Sequence, residues 1–377
     1  LGAGRWGRFP GVPLPIASSG LVGGFILAFI AMMGDYVTPQ LIGGTEGTLY
    51  ANLVINQFGN SLQWGFGSTL ALLLLVSVFL LLAIMRVTAG TTDSAGEYTG
   101  AFTHKRSPVL FAYSAVFLVC LYVPIGLLML FAFNDAETVG LPFAGFTTRW
   151  FEAVFSNLVL QDALITSLQV AVVSVGISLV IGSIAAVYLS RTKGWRRNLN
   201  LGTIALPLFL PPVVLGLAII IGLNALGLDR GLWTIIVGHT VLTLPIVTLL
   251  VMIRLEGLDR NHELAAMDLG ARPWTAFLQV TLPQALPGIV AAAMISFAIS
   301  LDEFIMTFLI TGSETTLPLY IYGSLRFGLS PELNAISSLI VFVSFAFVFA
   351  GALVAVGRKR TRKIGNTTTT NYGASPR

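Results

Sequence analysis

Three carboxylates stand in otherwise apolar stretches: Asp35 in FIAMMGDYVTPQ, and the neighbours Asp302 and Glu303 in ISLDEFIMTF. An ionised carboxylate is costly in hydrocarbon unless it meets a cation or a hydrogen-bond donor. Acids so placed therefore do one of two things. They bind a positively charged ligand in place of the water it sheds, or they anchor a helix end near the membrane surface. Tyr36 and Phe304, which directly follow Asp35 and Glu303, fit the first reading through cation–π contact and the second as interface aromatics. Other chemistries find no residues. Three His and one Cys, Cys120, make no metal-ligand constellation. No Gly-x-x-x-x-Gly-Lys-Ser/Thr phosphate loop occurs, so the chain alone is not expected to hydrolyse ATP. No nucleophile–base pair emerges either. His239 reads as a hydrogen bonder between packed helices rather than a ligand.

The elements that must position the acids follow from composition. With 55% hydrophobic and only 10% charged residues, the sequence predicts an all-α polytopic membrane protein. Eight apolar stretches are long enough to span, near 17–40, 66–85, 108–133, 163–190, 202–224, 231–253, 286–311 and 334–357. All but three of the 21 Lys and Arg fall in alternate loops and at the two ends, the exceptions being Arg149, Arg230 and Arg326. Positive residues are retained on the cytoplasmic side, so both ends of this chain are expected there. Basic runs such as RTKGWRR (191–197) read as topology determinants beside lipid, and nucleic acid is not an expected partner. In the fifth stretch, LPLFLPPVVLG (206–216), Pro207, Pro211 and Pro212 must interrupt helix hydrogen bonding. Such a break lines a pathway or is a structural kink.

The chain repeats itself. Residues 1–49 set against 269–317, at a constant offset of 268, are identical at 18 of the 49 positions, with Gly, Trp and Pro in register. Asp35 aligns with Glu303 and Tyr36 with Phe304. Two related modules are expected: the last two spans of a first (1–86) and six spans of a second (108–357). A small-residue cytoplasmic linker (87–107) would join them, and a basic, disordered tail (358–377) would follow. The first module's missing portion is expected to add about four spans if the natural gene is one long fusion.

Between the fourth and fifth spans of the second module lies a long loop, LEGLDRNHELAAMDLGARPWTAFLQVTLPQALPGI (255–289). Gly270 suits the positive φ that ends a helix and Pro273 the first turn of the next. The loop is thus expected to be a cytoplasmic helix-turn-helix, with the fifth span starting at Pro287-Gly288. Counted from there at about 1.5 Å per residue, Asp302 lies roughly 22 Å along that span. Ordered loops of this length are usually functional.

This segment resembles the EAA loop of the inner-membrane permeases of bacterial binding-protein-dependent ABC importers. Their pattern is Glu-Ala-Ala, three residues, Gly, nine residues, Ile, one residue, Leu-Pro. Ala265, Ala266, Gly270, Val280, Leu282 and Pro283 keep the spacing, and Gly2, Val12, Leu14 and Pro15 repeat it in the first copy. The Glu slot holds Leu264, with Glu263 displaced by one. GDYVTPQLIGG (34–44) is similar to the first permease of spermidine/putrescine importers. LDEFIMTFLITG (301–312) and LPLYIYGSLRFGLSPELNA (317–335) are similar to the second.

The resemblance implies a type I importer permease that couples ATP hydrolysis in a partner ATPase dimer to substrate passage. ATP and Mg would be used by that partner and no cofactor by this chain. A periplasmic binding protein would deliver substrate, and the rest of the first module or a second permease would complete the pathway. Glu263, Ala265, Ala266, Gly270, Ala271 and Gly2 would form the coupling loops. Asp35, Tyr36, Asp302, Glu303, Phe304, Pro211 and Pro212 are the candidates for the substrate path. A polyamine suits the acids. Related permeases for ferric iron, sulfate or thiosulfate, or phosphonate remain alternatives, as does an ion-coupled carrier, although that last reading leaves the duplicated loop without a purpose.

Overall fold

The chain is described by a computed structural model. It describes residues 108–325 apart from 138, 139 and 141, residues 330–343, and residues 21–89 apart from 22, 23, 26, 27, 31, 36, 44–46, 60 and 62. Gly2, Tyr36, most of the linker and the tail lie outside the described residues. Helix dominates throughout. The one pairing outside it among the described residues is an isolated antiparallel bridge between Asn134 and Phe146.

Four helices among the described residues are long and apolar enough to cross a membrane, and a fifth counts if one bent pair is a single span. Contacts divide the chain into two compact units. The first takes the described residues up to 89 and Thr166–Thr316. Its helices are α1 (Val37–Ile42), α2 (Tyr50–Gly59) and α3 (Trp64–Ala89). Most of the helix Leu158–Arg191 also belongs to it and is called α6 below. After α6 come α7 (Trp195–Ala205), α8 (Pro212–Ala225), α9 (Leu232–Glu256), α10 (Asn261–Asp268), α11 (Pro273–Ala276), α12 (Leu282–Asp302) and α13 (Ile305–Ile310). The second unit holds α4 (Pro108–Phe131), α5 (Arg149–Ser156), the start of α6, α14 (Leu317–Leu325) and the apolar helix Pro331–Val343.

Small residues let the spans of the first unit pack closely, as membrane helices require where no hydrophobic gain drives them together. Ala186 and Leu189 of α6, Val247 and Val251 of α9, and Ala292 of α12 form one buried cluster. A Cβ on Gly182 of α6 would meet Val247 Cγ1 at 3.0 Å. In the second unit Ala132, Val154, Leu160, Leu317, Ala335 and Ile336 form a separate core. Around that core Trp150 Nε1 donates to the Asn134 carbonyl at 2.8 Å, and Arg149 pairs with Asp135 at 3.0 Å.

Three expected spans divide or shift. Residues 202–224 are not one continuous helix, because α7 and a 3-10 turn (Leu206–Phe209) meet α8 at 103°. Proline's missing N–H and ring sterics at Pro211 and Pro212 account for the bend. The fifth span of the second module does not begin at Pro287-Gly288: helix continues from Pro273 to Asp302 through a π turn at Phe277–Thr281. The wider i→i+5 register of that turn leads directly into Pro283 without a break. The same span stops at Asp302, and α13 follows after Glu303 and Phe304. Likewise the stretch expected at 17–40 is helical where described up to residue 33, turns at Gly34, and resumes as α1. The short helices α1 and α13 are related by the 268-residue offset of the sequence repeat at both ends.

Gly288 of α12 lies close against α9: a Cβ there would lie 2.6 Å from Arg254 Cβ and Cγ. Arg254 cannot easily retreat, since its Nε and Nη2 donate to the Gln284 carbonyl at 3.1 and 2.8 Å. Gly288→Leu should destabilise the protein by about 1–3 kcal/mol through overpacking, read as an earlier denaturation midpoint in detergent. An unchanged midpoint would show that the helices part without cost.

Candidate functional site

Two groups of sequence-predicted residues are positioned within the first unit. In the loop 255–289, the Asp259 carboxylate accepts from the Asn261 N–H at 2.9 Å where α10 begins. The helix ends in a Schellman motif. Ala271 N–H donates to the Ala266 carbonyl at 3.0 Å and Gly270 N–H to the Met267 carbonyl at 2.9 Å, with Gly270 at φ 93°. A side chain at that φ is strained, which is why glycine stands there. Pro273 then opens α11.

Glu263 is turned inward and only 8% exposed. Its carboxylate takes two hydrogen bonds from Arg191 Nη2, at 2.8 and 3.1 Å, and one from the Thr281 hydroxyl at 2.8 Å. Arg191 is the last residue of α6, and Thr281 closes the π turn. The Arg191 guanidinium also lies 5.9 Å from the centre of the Phe277 ring. One carboxylate thus ties α10 to the end of one span and the start of another. Adjacent helix positions differ by about 100° around the axis, so moving the acid from slot 264 to 263 turns it from outside to inside. Leu264 faces outward beside exposed Ala265, and Leu269 and Trp274 are 90% and 69% exposed. A cleft of about 310 Å³ opens next to the pair, lined by Arg191, Arg260, His262, Glu263, Phe277 and Gln284 among others.

The second group sits at the helix breaks. Asp35 accepts from the backbone N–H groups of Val37 and Thr38 at 3.1 and 3.2 Å, so it caps α1. Glu303 accepts from the Met306 N–H at 2.8 Å and caps α13 in the same manner. The helix-end reading of these aligned acids therefore has direct geometric support. Asp302, the last residue of α12, is exposed, and Phe304 stacks on Phe308 at 5.8 Å. Gly34, just before Asp35, abuts the proline break: a Cβ on it would lie 3.2 Å from Pro211 Cβ and 3.3 Å from Pro212 Cδ. On the far side of that break, Gly216 of α8 packs against Leu309 and Met306 of α13.

His239 is buried with both ring nitrogens engaged, Nδ1 to Ser300 Oγ at 2.7 Å and Nε2 to Thr307 Oγ1 at 2.8 Å. Sequence reasoning missed Arg191, read as a topology charge, and the hydroxyl residues Thr281, Ser300 and Thr307. Arg191 at the very end of a 34-residue apolar helix was the available signal. Hydroxyls in apolar helices carry no pattern that names their partners.

Apolar helices broken at Gly34, Pro211 and Glu303, with an ordered loop between α9 and α12, make the architecture of a multi-pass membrane protein. The chain belongs to the family of binding-protein-dependent transport system inner membrane components, whose model matches residues 178–363. It is 34% identical over 248 residues to the spermidine/putrescine transport system permease protein PotC of Escherichia coli, covering 66% of this chain and 92% of that protein. The putrescine transport system permease protein PotI of Escherichia coli is 34% identical over 229 residues, covering 59% of this chain and 81% of that one. The fold is shared with a bacterial ABC transporter involved in the import of the acidic polysaccharide alginate. That match has a TM-score of 0.51 at 16% identity and covers 66% of this chain and 94% of that one. These findings place the chain as a multi-pass inner-membrane component of binding-protein-dependent transport systems.

The Arg191–Glu263 pair generates a direct test. Arg191→Met should cost about 1–2 kcal/mol, a hydrogen-bonded ion pair discounted for the partial exposure of the arginine. In a double-mutant cycle with Glu263→Gln the two losses should be less than additive, as measured by denaturation in detergent. Full additivity would mean that the pair does not act as a unit.

Proposed function

We propose that this chain is the permease of an ATP-driven polyamine importer. The observation that carries the reading is its 34% identity to a spermidine/putrescine permease along 92% of that protein. The acids give the cargo a physical rationale, because a polycation leaving water needs anionic partners. Asp302 is exposed and adjoins Glu303, while Asp35 lies beside the Pro211–Pro212 break. Capping does not remove these acids from the path. A carboxylate has two oxygens, and one that receives backbone N–H groups keeps lone pairs for an ammonium. Phe304, and Tyr36 outside the described residues, would face the methylene stems.

In this reading the loop 255–289 couples transport to a cytoplasmic ATPase dimer. Its apolar outer face, with Leu264, Ala265, Leu269 and Trp274, is the docking surface, and Gly270 and Ala271 form the turn. Gly2 belongs to the corresponding loop of a first module. The chain divides into two spans of that first module (1–86), a linker (87–107), a six-span second module (108–357) and a tail (358–377), with both ends cytoplasmic. The rest of the first module, or a second permease, completes the pathway. A periplasmic binding protein delivers the substrate, and ATP and Mg belong to the ATPase. Catalysis is no part of this chain's role. Closure of the ATPase pair moves α10, and the Arg191–Glu263–Thr281 connection passes that movement to α6 and α12, shifting the spans between inward- and outward-open states.

Cells expressing the assembled transporter should take up labelled spermidine and putrescine saturably, without competition from sulfate or ferric iron. Asp302→Asn with Glu303→Gln should lower that uptake by about tenfold or more at unchanged membrane abundance, the scale of one or two lost charge-assisted contacts. Undiminished uptake would return both acids to purely structural capping. Gly270→Pro should abolish stimulation of the partner ATPase while the spans stay folded, because proline cannot adopt the φ of 93°. Normal stimulation in that variant would remove the coupling role of the turn.

A further inference from the structure

The break between α12 and α13 is bridged from outside by one side chain. His239, on α9, reaches Ser300 before the break through Nδ1 at 2.7 Å and Thr307 after it through Nε2 at 2.8 Å. The Thr307 hydroxyl also lies 3.1 Å from the Glu303 carbonyl, in donating geometry. A hydroxyl has one hydrogen. With that hydrogen on Glu303, Thr307 accepts from His239 Nε2–H. The hydrogen positions assigned from this network give a directed chain from Nε2–H through Thr307 to the Glu303 backbone.

The surroundings make the bridge rigid. The Ser178 hydroxyl lies 2.8 Å from that of Thr243, which in turn donates to the His239 carbonyl at 2.8 Å, fixing the ring's backbone against α6. One residue earlier, Gly238 lets α13 come so close that a Cβ would lie 2.5 Å from Ile310 Cδ1. The Thr234 hydroxyl lies between the Gly231 carbonyl at 2.6 Å and the Ile310 carbonyl at 2.8 Å, at the other end of α13. A six-residue helix has little stability of its own, so its place depends on these ties to α9.

We propose that His239 is a positioning residue for transport: by hydrogen-bonding Ser300 and Thr307 it holds the interrupted span so that Asp302 and Glu303 are presented together to the substrate. The transport part rests on the pathway reading of the two acids. The positioning part does not, and the test separates them. An Asn amide occupies the place of Nδ1 and a Gln amide that of Nε2, so His239→Asn keeps the Ser300 side and His239→Gln the Thr307 side. Both fill the space that His239→Ala would leave empty.

The assembled transporter, with Cys120→Ser to remove the chain's one thiol and Phe304→Cys as reporter, would be labelled with a small charged maleimide. In parallel, spermidine uptake would be measured without the reporter. Labelling should become about tenfold faster in each His239 variant, the factor for one net hydrogen bond. The KM for spermidine should rise by a similar factor at unchanged membrane abundance. Unchanged labelling would overturn the positioning role whatever uptake does. Faster labelling with unchanged KM and maximal rate would overturn its bearing on transport. Faster labelling in a transporter whose parent takes up no polyamine would support the positioning role and sink the cargo assignment alone.

Discussion

Backbone N–H and C=O groups in an apolar slab must be hydrogen-bonded wherever a helix stops, and the interior of the first unit follows from that constraint. Among the described residues of this unit, helices stop inside apolar stretches at Gly34, Phe209 and Asp302, with two remedies. At Gly34 and at Asp302 a carboxylate one residue further on accepts the free N–H groups of a new short helix. At Phe209 part of the demand is removed, because Pro211 and Pro212, which open the next helix, carry no N–H. Interrupted spans create short segments with exposed polar ends, the kind of backbone that membranes tolerate only against protein or water.

The repeat gives this remedy a history in the sequence. The two capped helices stand at the same offset as the identical residues around them, and the capping acid is Asp in one copy and Glu in the other. The shorter acid reaches the N–H groups two and three residues on, and the longer one reaches three. The clamp on α13, by contrast, comes from Thr234, Gly238 and His239 of α9. Capping belongs to the repeated unit, whereas the side-on support of α13 comes from a neighbouring helix.

The loop 255–289 applies the same economy of contacts to a different end. Its helix-turn-helix is held by capping and a Schellman motif, which are local, and by a single buried carboxylate, which is not. Glu263 satisfies Arg191 and Thr281 together, so α10 cannot shift without disturbing both α6 and the π turn that leads into α12. Under the proposed function this is the mechanical link between ATPase and spans. The apolar residues on the other side of α10 are free to meet a partner because the acid has been turned inward.

Much of this was legible in the sequence, and the limit has a physical cause. Hydropathy set the all-α membrane class, and the Pro207–Pro212 run marked a break that bends by 103°. Gly270 announced its own positive φ, since only glycine takes that conformation without strain. These are local properties, written in a few adjacent residues. The tertiary structure alone decided which way Glu263 points and that Arg191 answers it from 72 positions away. It also decided that helix runs on through Pro287 and that His239 spans the break next to the acids. Those outcomes depend on which helices lie side by side and at what rotation, and an apolar solvent that makes every helix face look alike leaves no periodicity from which to read it.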